Sequence, residues 1–461
     1  MRAEMDVMVR LTACSAEASD NYRFKQSPAK FPNLDRAVTK TFLTRRPAAG
    51  VIISMKTPTY FRLGAVAATA VFALSLDTAT AETTNVIFSF GEGEGEYADT
   101  DLETDGAGNI YGTTVIGGDF GGGTVFQLSP SVNGWVHTVL YNFTGGADGG
   151  EPYKGVSLDR HGNLYGTAVT GGSGSCEGGC GVAYKLTNSG GTWTQTVIHA
   201  FTGGDDGSGP GARLTVDRSG DVYGMAPTGG ANGLGTIYKI HQGHSGDWTL
   251  KVIHTFTGGA DGSSGSAGRM IVRNGHLYGA ATTGGTYGSG VVFELTPRRV
   301  GEWHFRTIYS FRGQPDGSFP YGALLFDHSG NIYGTTYYGG ANGIGAVYKL
   351  SRRNVGEWNE SVLYSFQEGT DGNSPISNLV FGGSGNLYGT TSEGGLGSGT
   401  IFKLSPLPGG QWTETVVHAF EGPPDGAFSY NGMVVDRFGN FYGATVHGGD
   451  DDDGSIYKFT P

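Results

Sequence analysis

One phrase of seven residues recurs seven times along the chain. It reads GNIYGTT at Gly108, GNLYGTA at Gly162, GDVYGMA at Gly220, GHLYGAA at Gly275, GNIYGTT at Gly330, GNLYGTT at Gly385 and GNFYGAT at Gly439. Its tyrosines, Tyr111, Tyr165, Tyr223, Tyr278, Tyr333, Tyr388 and Tyr442, stand 54, 58, 55, 55, 55 and 54 residues apart. A fixed period of this size marks a repeat architecture, whose units bury their apolar faces only against their neighbours. Around Tyr333 one period holds four apolar runs: Tyr321–Asp327, Asn331–Tyr337, Gly345–Ser351 and Glu357–Phe366. They are rich in β-branched and aromatic residues, with Gly, Asn and Asp between them, which is the chemistry of strands and turns. Four antiparallel strands per period make one propeller blade. The chain ends on a third run, SIYKFTP, while TNVIFSF (84–90) matches a fourth run near the start. Pairing the two closes the ring and removes both exposed edges. The sequence therefore predicts an all-β, seven-bladed propeller over residues 82–461.

The residues before it have another character. From Met55 a basic stretch with Lys56 and Arg62 leads into an apolar run, Leu63 to Leu76, and then to Ala79-Thr80-Ala81. This is the pattern of a secretory signal peptide, residues 55–81, cleaved near Ala81. Residues 1–54 show no apolar periodicity and read as a non-structured or mis-started leader. The first 81 residues hold 11 of the 30 Lys and Arg and 6 of the 42 Asp and Glu, which leaves 19 basic against 36 acidic residues and a formal charge of −17. Such a balance argues against nucleic acid and anionic membrane surfaces as partners. No later run is apolar enough to span a bilayer, and a secreted or periplasmic monomer is expected. Cys176 and Cys180, four apart within GGSGSCEGGCG, are expected to form a local disulfide in an exported protein.

The units carry a family likeness. The pattern LYGTT..GG..G.GTVFKL....G.WTETVLYSFTGGADG resembles the GloVer repeat, a bacterial tandem repeat, and is more loosely similar to kelch repeats. The first resemblance implies a β-propeller in an exported protein and no particular activity. The second implies binding more often than catalysis.

Candidate sites follow from where the repeat varies. The loops between second and third strands and those between fourth and first strands should share one glycine-rich face. Loops on a rigid scaffold are where function concentrates. Six loops carry Asp-Gly, at Asp148, Asp206, Asp261, Asp316, Asp371 and Asp425; each Asp reads as an Asx-type turn. His199, His254 and His418 replace Tyr141, Tyr309 and Tyr364 at one strand position and read as packing aromatics. The six tryptophans each open a fourth strand and read as covers for the outer hairpins. At the channel mouth the residue before each inner strand scatters: Asp101, Gly155, Arg213, Arg269, Ala323, Asn378 and Gly432. Asp101, Arg213, Arg269 and Asn378 are the candidate ligand contacts. Ring closure should bring Glu92, Glu94 and Glu96 beside Asp450, Asp451, Asp452 and Asp453, an acidic seam with oxygen ligands suited to Ca²⁺. No catalytic motif is present, so the leading expectation is a non-catalytic module that binds a glycan or protein. The alternative is a propeller hydrolase or lyase using a divalent cation at the central channel.

Overall fold

The computed structural model describes residues 82–461, apart from 264–267, 355 and 368. The leader and signal-peptide readings lie outside the described residues. Seven antiparallel sheets form a ring of seven blades. In blade one the strands run Glu103–Thr104, Ile110–Thr114, Thr124–Ser131 and Gly134–Asn142, from the channel outwards. Blade seven takes its outermost strand from the other end of the described chain. Thr83–Ser89 pairs antiparallel with Ser455–Thr460, and Val86 stands opposite Tyr457. Among the described residues there is no α-helix, only two 3-10 turns.

Seven apolar clusters hold the ring, one at each seam between blades. The opening phrase explains them. The Tyr of each phrase packs towards the next blade, and the tryptophans come to meet it: Trp135 lies edge-on to Tyr442, Trp248 to Tyr165 and Trp303 to Tyr223, with ring centroids 5.7, 6.3 and 6.0 Å apart. The tryptophans therefore join neighbouring blades as well as closing their own hairpins. The Gly after each Tyr faces a buried ring on the third strand. A Cβ on Gly224 would lie 2.3 Å from the Tyr238 hydroxyl, and one on Gly112 would lie 2.5 Å from Phe126 Cζ. The same ring position is filled by Tyr184, Phe293, Tyr348, Phe402 and Tyr457, all at most 1% exposed.

The first strands are shorter than the apolar runs suggest, two residues in six blades and three in the fourth. Their preceding residues turn into the channel instead of extending the sheet. Among the described residues, blade five alone adds a strand, Gly317–Pro320, which pairs with the end of a lengthened second strand, Ile332–Gly339.

Candidate functional site

Both glycine-rich loop sets stand on one face, because they pair with each other. Single antiparallel bridges join them at Glu96↔Ile116, Gly150↔Thr170, Ser208↔Thr228, Ser263↔Thr283, Asn373↔Glu393 and Ala427↔His447. The fourth-to-first loops also donate backbone N–H groups to the preceding second-to-third loops, as Glu151 does to Gly122 (2.9 Å), Phe319 to Ser289 (3.0 Å) and Phe428 to Ser398 (2.9 Å).

The Asp-Gly loops turn out to be internal staples. Asp148 accepts from the Thr144 amide at 2.9 Å and from the Tyr141 hydroxyl at 3.0 Å. Asp316 does the same with Arg312 and Tyr309, and Asp371 with Gln367 and Tyr364. Where histidine replaces tyrosine, the Nε2 of His199, His254 and His418 faces Asp206, Asp261 and Asp425 at 2.9, 3.0 and 2.9 Å. Those histidines are thus hydrogen-bonding partners as well as packing aromatics. The spacing of seven, repeated six times, was the readable signal. Burial raises the Tyr141 hydroxyl, and the bond to Asp148 adds to this, to about 12.

A second inter-blade position is less settled. Gln195, two residues after its Trp, donates to the Asp148 carbonyl at 3.1 Å. Glu360 and Glu414 hold the same place near Asp316 and Asp371. Burial first, then the neighbouring Asp, pushes each to about 7. One carboxylate oxygen of each is buried with no hydrogen-bond partner. A carboxyl whose folded pKa is raised contributes stability below its unfolded value near 4.5 and loses it as pH rises through 7. Glu360→Gln and Glu414→Gln, which restore the Gln195 chemistry, are each expected to stabilise the protein by about 1–2 kcal/mol at pH 8. The gain should fade between pH 7 and pH 4.5 in urea titrations.

The channel-mouth candidates meet one another. Asn378 donates through Nδ2 to Asp101 Oδ1 at 2.7 Å, across a separation of 277 residues. Arg213, 5% exposed, donates to Glu103, to the Leu102 carbonyl (3.2 Å) and to Ser157 Oγ (3.1 Å). Arg269 lies close enough that the Arg213 guanidinium lowers its pKa, burial acting in the same direction. Glycine stands where these side chains or their backbones need room: a Cβ on Gly155 would lie 2.1 Å from the Asp101 carbonyl oxygen, and one on Gly432 would lie 2.5 Å from that of Asn378. The scatter at this position reflects the filling of a narrow channel by a polar network between non-adjacent blades.

Two members of that network, Lys154 and Asn431, were not foreseen. Lys154 has a left-handed backbone, φ 62, and donates to Asp99 Oδ1 at 2.8 Å and to Asn431 Oδ1 at 3.0 Å. Asn431 in turn donates to Asp99. Burial is the largest influence and works against the Lys154 charge, but Asp99, Tyr321 and Asp101 together hold the pKa above the usual lysine value. A bulky residue in this backbone region is strained, and strain of this kind collects at functional positions. The signal in the sequence was a single lysine at a place where the other repeats carry Thr, Ala, Gly, Ser or Asn.

The acidic loops also meet: the Tyr97 amide donates to the Asp453 carbonyl at 2.9 Å. Burial, then Asp451 and Asp452, raises the Asp453 carboxyl, and burial raises Glu94. Glu92, Asp450, Asp451 and Asp452 are exposed, whereas Glu94 and Glu96 are half-buried. Asp452 Oδ1 accepts the Gly448 amide at 2.8 Å. Among the described residues no group of three or more His, Cys, Asp or Glu side chains is arranged to hold a metal ion. Cys176 and Cys180 are joined by a disulfide on the same face. Among the described residues no helix is long and apolar enough to cross a membrane.

Comparison with curated proteins finds no match. Among solved structures, a protein of Thermus thermophilus assigned as an oxidoreductase (glucose dehydrogenase) is similar at 13% identity and a TM-score of 0.41. The match covers 82% of this chain and 100% of that one. The Gloeobacter/Verrucomicrobia repeat matches residues 59–270, 216–360 and 269–461, which together span all seven blades, and the chain belongs to that repeat family.

Proposed function

We propose that the protein is an exported, non-catalytic binding module that holds a glycan or protein ligand on its glycine-rich face. One observation carries this reading. At the second residue after the double glycine of the second-to-third loops, blades three and five have Asn232 and Asn342. Each closes its loop by donating to a backbone carbonyl, Phe256 at 2.9 Å and Phe366 at 2.8 Å. Blades one and four replace this structural Asn by Phe120 and Tyr287, 64 and 54% exposed, and blade six, whose loop is one residue shorter, places Leu396 directly after the double glycine, 66% exposed. An exposed apolar tip contributes little to the fold. Several on one rigid face suit a ligand that offers apolar or sugar-ring surface.

The test is a glycan array on the full-length protein and a variant combining Phe120→Asn and Tyr287→Asn, which write in the repeat's own loop-closing residue, with Leu396→Asn, which removes the third apolar tip. Binding should fall at least about tenfold, because exposed aromatic anchors dominate such contacts, while the melting temperature stays put. Hits that survive the triple change, or turnover of a glycosidic substrate, would sink the reading.

A further inference from the structure

Two consecutive outer hairpins break the pattern of the rim. Between third and fourth strands, blades four and five read PRRVGEW (297–303) and SRRNVGEW (351–358), where the other blades read SPSVNGW, TNSGGTW, HQGHSGDW and SPLPGGQW. Each hairpin sets two arginines against one glutamate, Glu302 or Glu357, on a ring whose net charge is −17.

The seam between the same two blades departs further. In blades two, three, five and six a third-strand lysine lies over the phrase Tyr, as Lys185 does over Tyr165 at 5.6 Å and Lys349 over Tyr333 at 5.3 Å. Blade four has Glu294 there instead, 4% exposed. Its carboxylate accepts from His276 Nδ1 at 2.7 Å, from the Tyr278 hydroxyl at 2.8 Å and from Arg306. Arg306 stands opposite Glu294 on the fourth strand, where the other blades carry Thr138, Thr196, Lys251, Ser361, Thr415 and Asn85. The cation has moved from a covered place over a tyrosine to the rim, and it also reaches the Gly356 carbonyl of the next hairpin at 3.5 Å. The result is a groove of about 550 Å³ lined by His276, Glu294, Thr296, Arg306, Arg352 and Arg353. One seam earlier the contact of a fourth-strand cation with the next hairpin recurs: Lys251 Nζ donates to the Gly301 carbonyl at 2.6 Å, beside an open surface hollow lined by Pro297, Arg298, Arg299 and Glu302.

We propose that the groove and the hollow together bind an acidic polysaccharide, a linear sugar chain bearing carboxylate or sulfate groups. Three guanidiniums around one carboxylate repel one another, and the remaining blades fold without them. The planar guanidinium matches a carboxylate or sulfate through two parallel N–H bonds. The arginine pairs recur one blade apart along the rim, which suits a polymer better than a single anion. Double-stranded nucleic acid carries a charge every ~1.7 Å of its axis and would run from this patch onto acidic surface. A sugar chain with one charge per unit can leave the patch at lower electrostatic cost. The surface is separate from the glycine-rich face and does not depend on the function assigned there.

The experiment measures binding of polygalacturonate and of heparin to the full-length protein. Neutral dextran, a DNA duplex and anionic phospholipid vesicles are run beside them. At least one acidic glycan should bind, and should weaken about tenfold or more between 50 and 200 mM salt, since charge contacts dominate. Combining Arg299→Glu with Arg353→Glu, one exposed residue from each hairpin, should weaken it about tenfold again without changing the melting temperature. Arg160→Glu with Arg218→Glu, exposed turn residues on other blades, should leave it unchanged. Three outcomes would overturn the proposal: neither glycan binds above dextran, both double variants lose binding equally, or the duplex or the vesicles are the ligand that the rim variant loses.

Discussion

Removal of residues 83–90 is expected to abolish cooperative folding of the propeller. This strand pairs with the outer edge of Ser455–Thr460, whose inner edge pairs with Phe441–Thr445, and without it the ring has an open edge that templates aggregation. Phe90 is fully buried in the cluster joining blades seven and one, with Ile87 and Phe88 packed against it. Phe90→Ala alone should cost about 3–5 kcal/mol, the usual range for emptying such a site. A domain's whole stability is only about 5–15 kcal/mol, so losing the strand with its ladder, its apolar residues and Phe90 exceeds what remains. Circular dichroism melts and size exclusion would check this. Thr83 stands opposite Thr460, so a permutant carrying residues 83–90 after Pro461 through a short Asn-Gly turn should recover the cooperative melt. A deletion variant that melts like the parent would refute ring closure as the main source of stability.

Gly224→Ala is the second large effect. The new Cβ would lie 2.3 Å from the Tyr238 hydroxyl, 2.5 Å from its Cζ and 2.7 Å from Leu214 Cδ2. Both neighbours are fully buried, so neither can swing away into solvent. Overpacking of this kind costs about 1–3 kcal/mol even where the core can shift; here a value near the top, about 3 kcal/mol, is expected. Tyr238→Phe in the same chain should recover part of the loss, because it removes the atom of closest approach and leaves the ring. Gly106→Ala meets nothing within 4 Å and has no left-handed backbone to strain, so it should stay within about 0.5 kcal/mol of the parent. Urea titrations of the four proteins give the comparison. Equal losses at Gly224 and Gly106 would mean that the glycine serves chain entropy instead of ring clearance.

These two effects come from features that a reader of the sequence can find. The period, the order of strands within it and the split of the seventh blade between the two ends are all patterns within a few dozen residues. The Asp staples are local as well: Asp148 and Tyr141 are seven apart on one hairpin, as are Asp425 and His418. What escaped was mostly a matter of partner. The tryptophans were placed on their own hairpins, but Trp248 packs on Tyr165 of the preceding blade. Nothing in their own repeats marks Glu360 and Glu414, which the ring sets against Asp316 and Asp371. The short first strands were also missed, because an apolar run says nothing about where the channel forces the backbone to turn.

Taken alone, the chain determined that its strands come in fours, that there are seven sets and that the ends must pair, since each of these follows from hydrophobic alternation and turn chemistry along a continuous segment. Only the tertiary structure decided which groups face each other over the axis: Asn378 with Asp101, Arg213 with Glu103, Lys154 with Asp99 and Asn431. All of these but Lys154–Asp99 join blades that are not neighbours. Their separation is set by the radius at which seven packed seams close, a property of all the blades together that no single repeat contains.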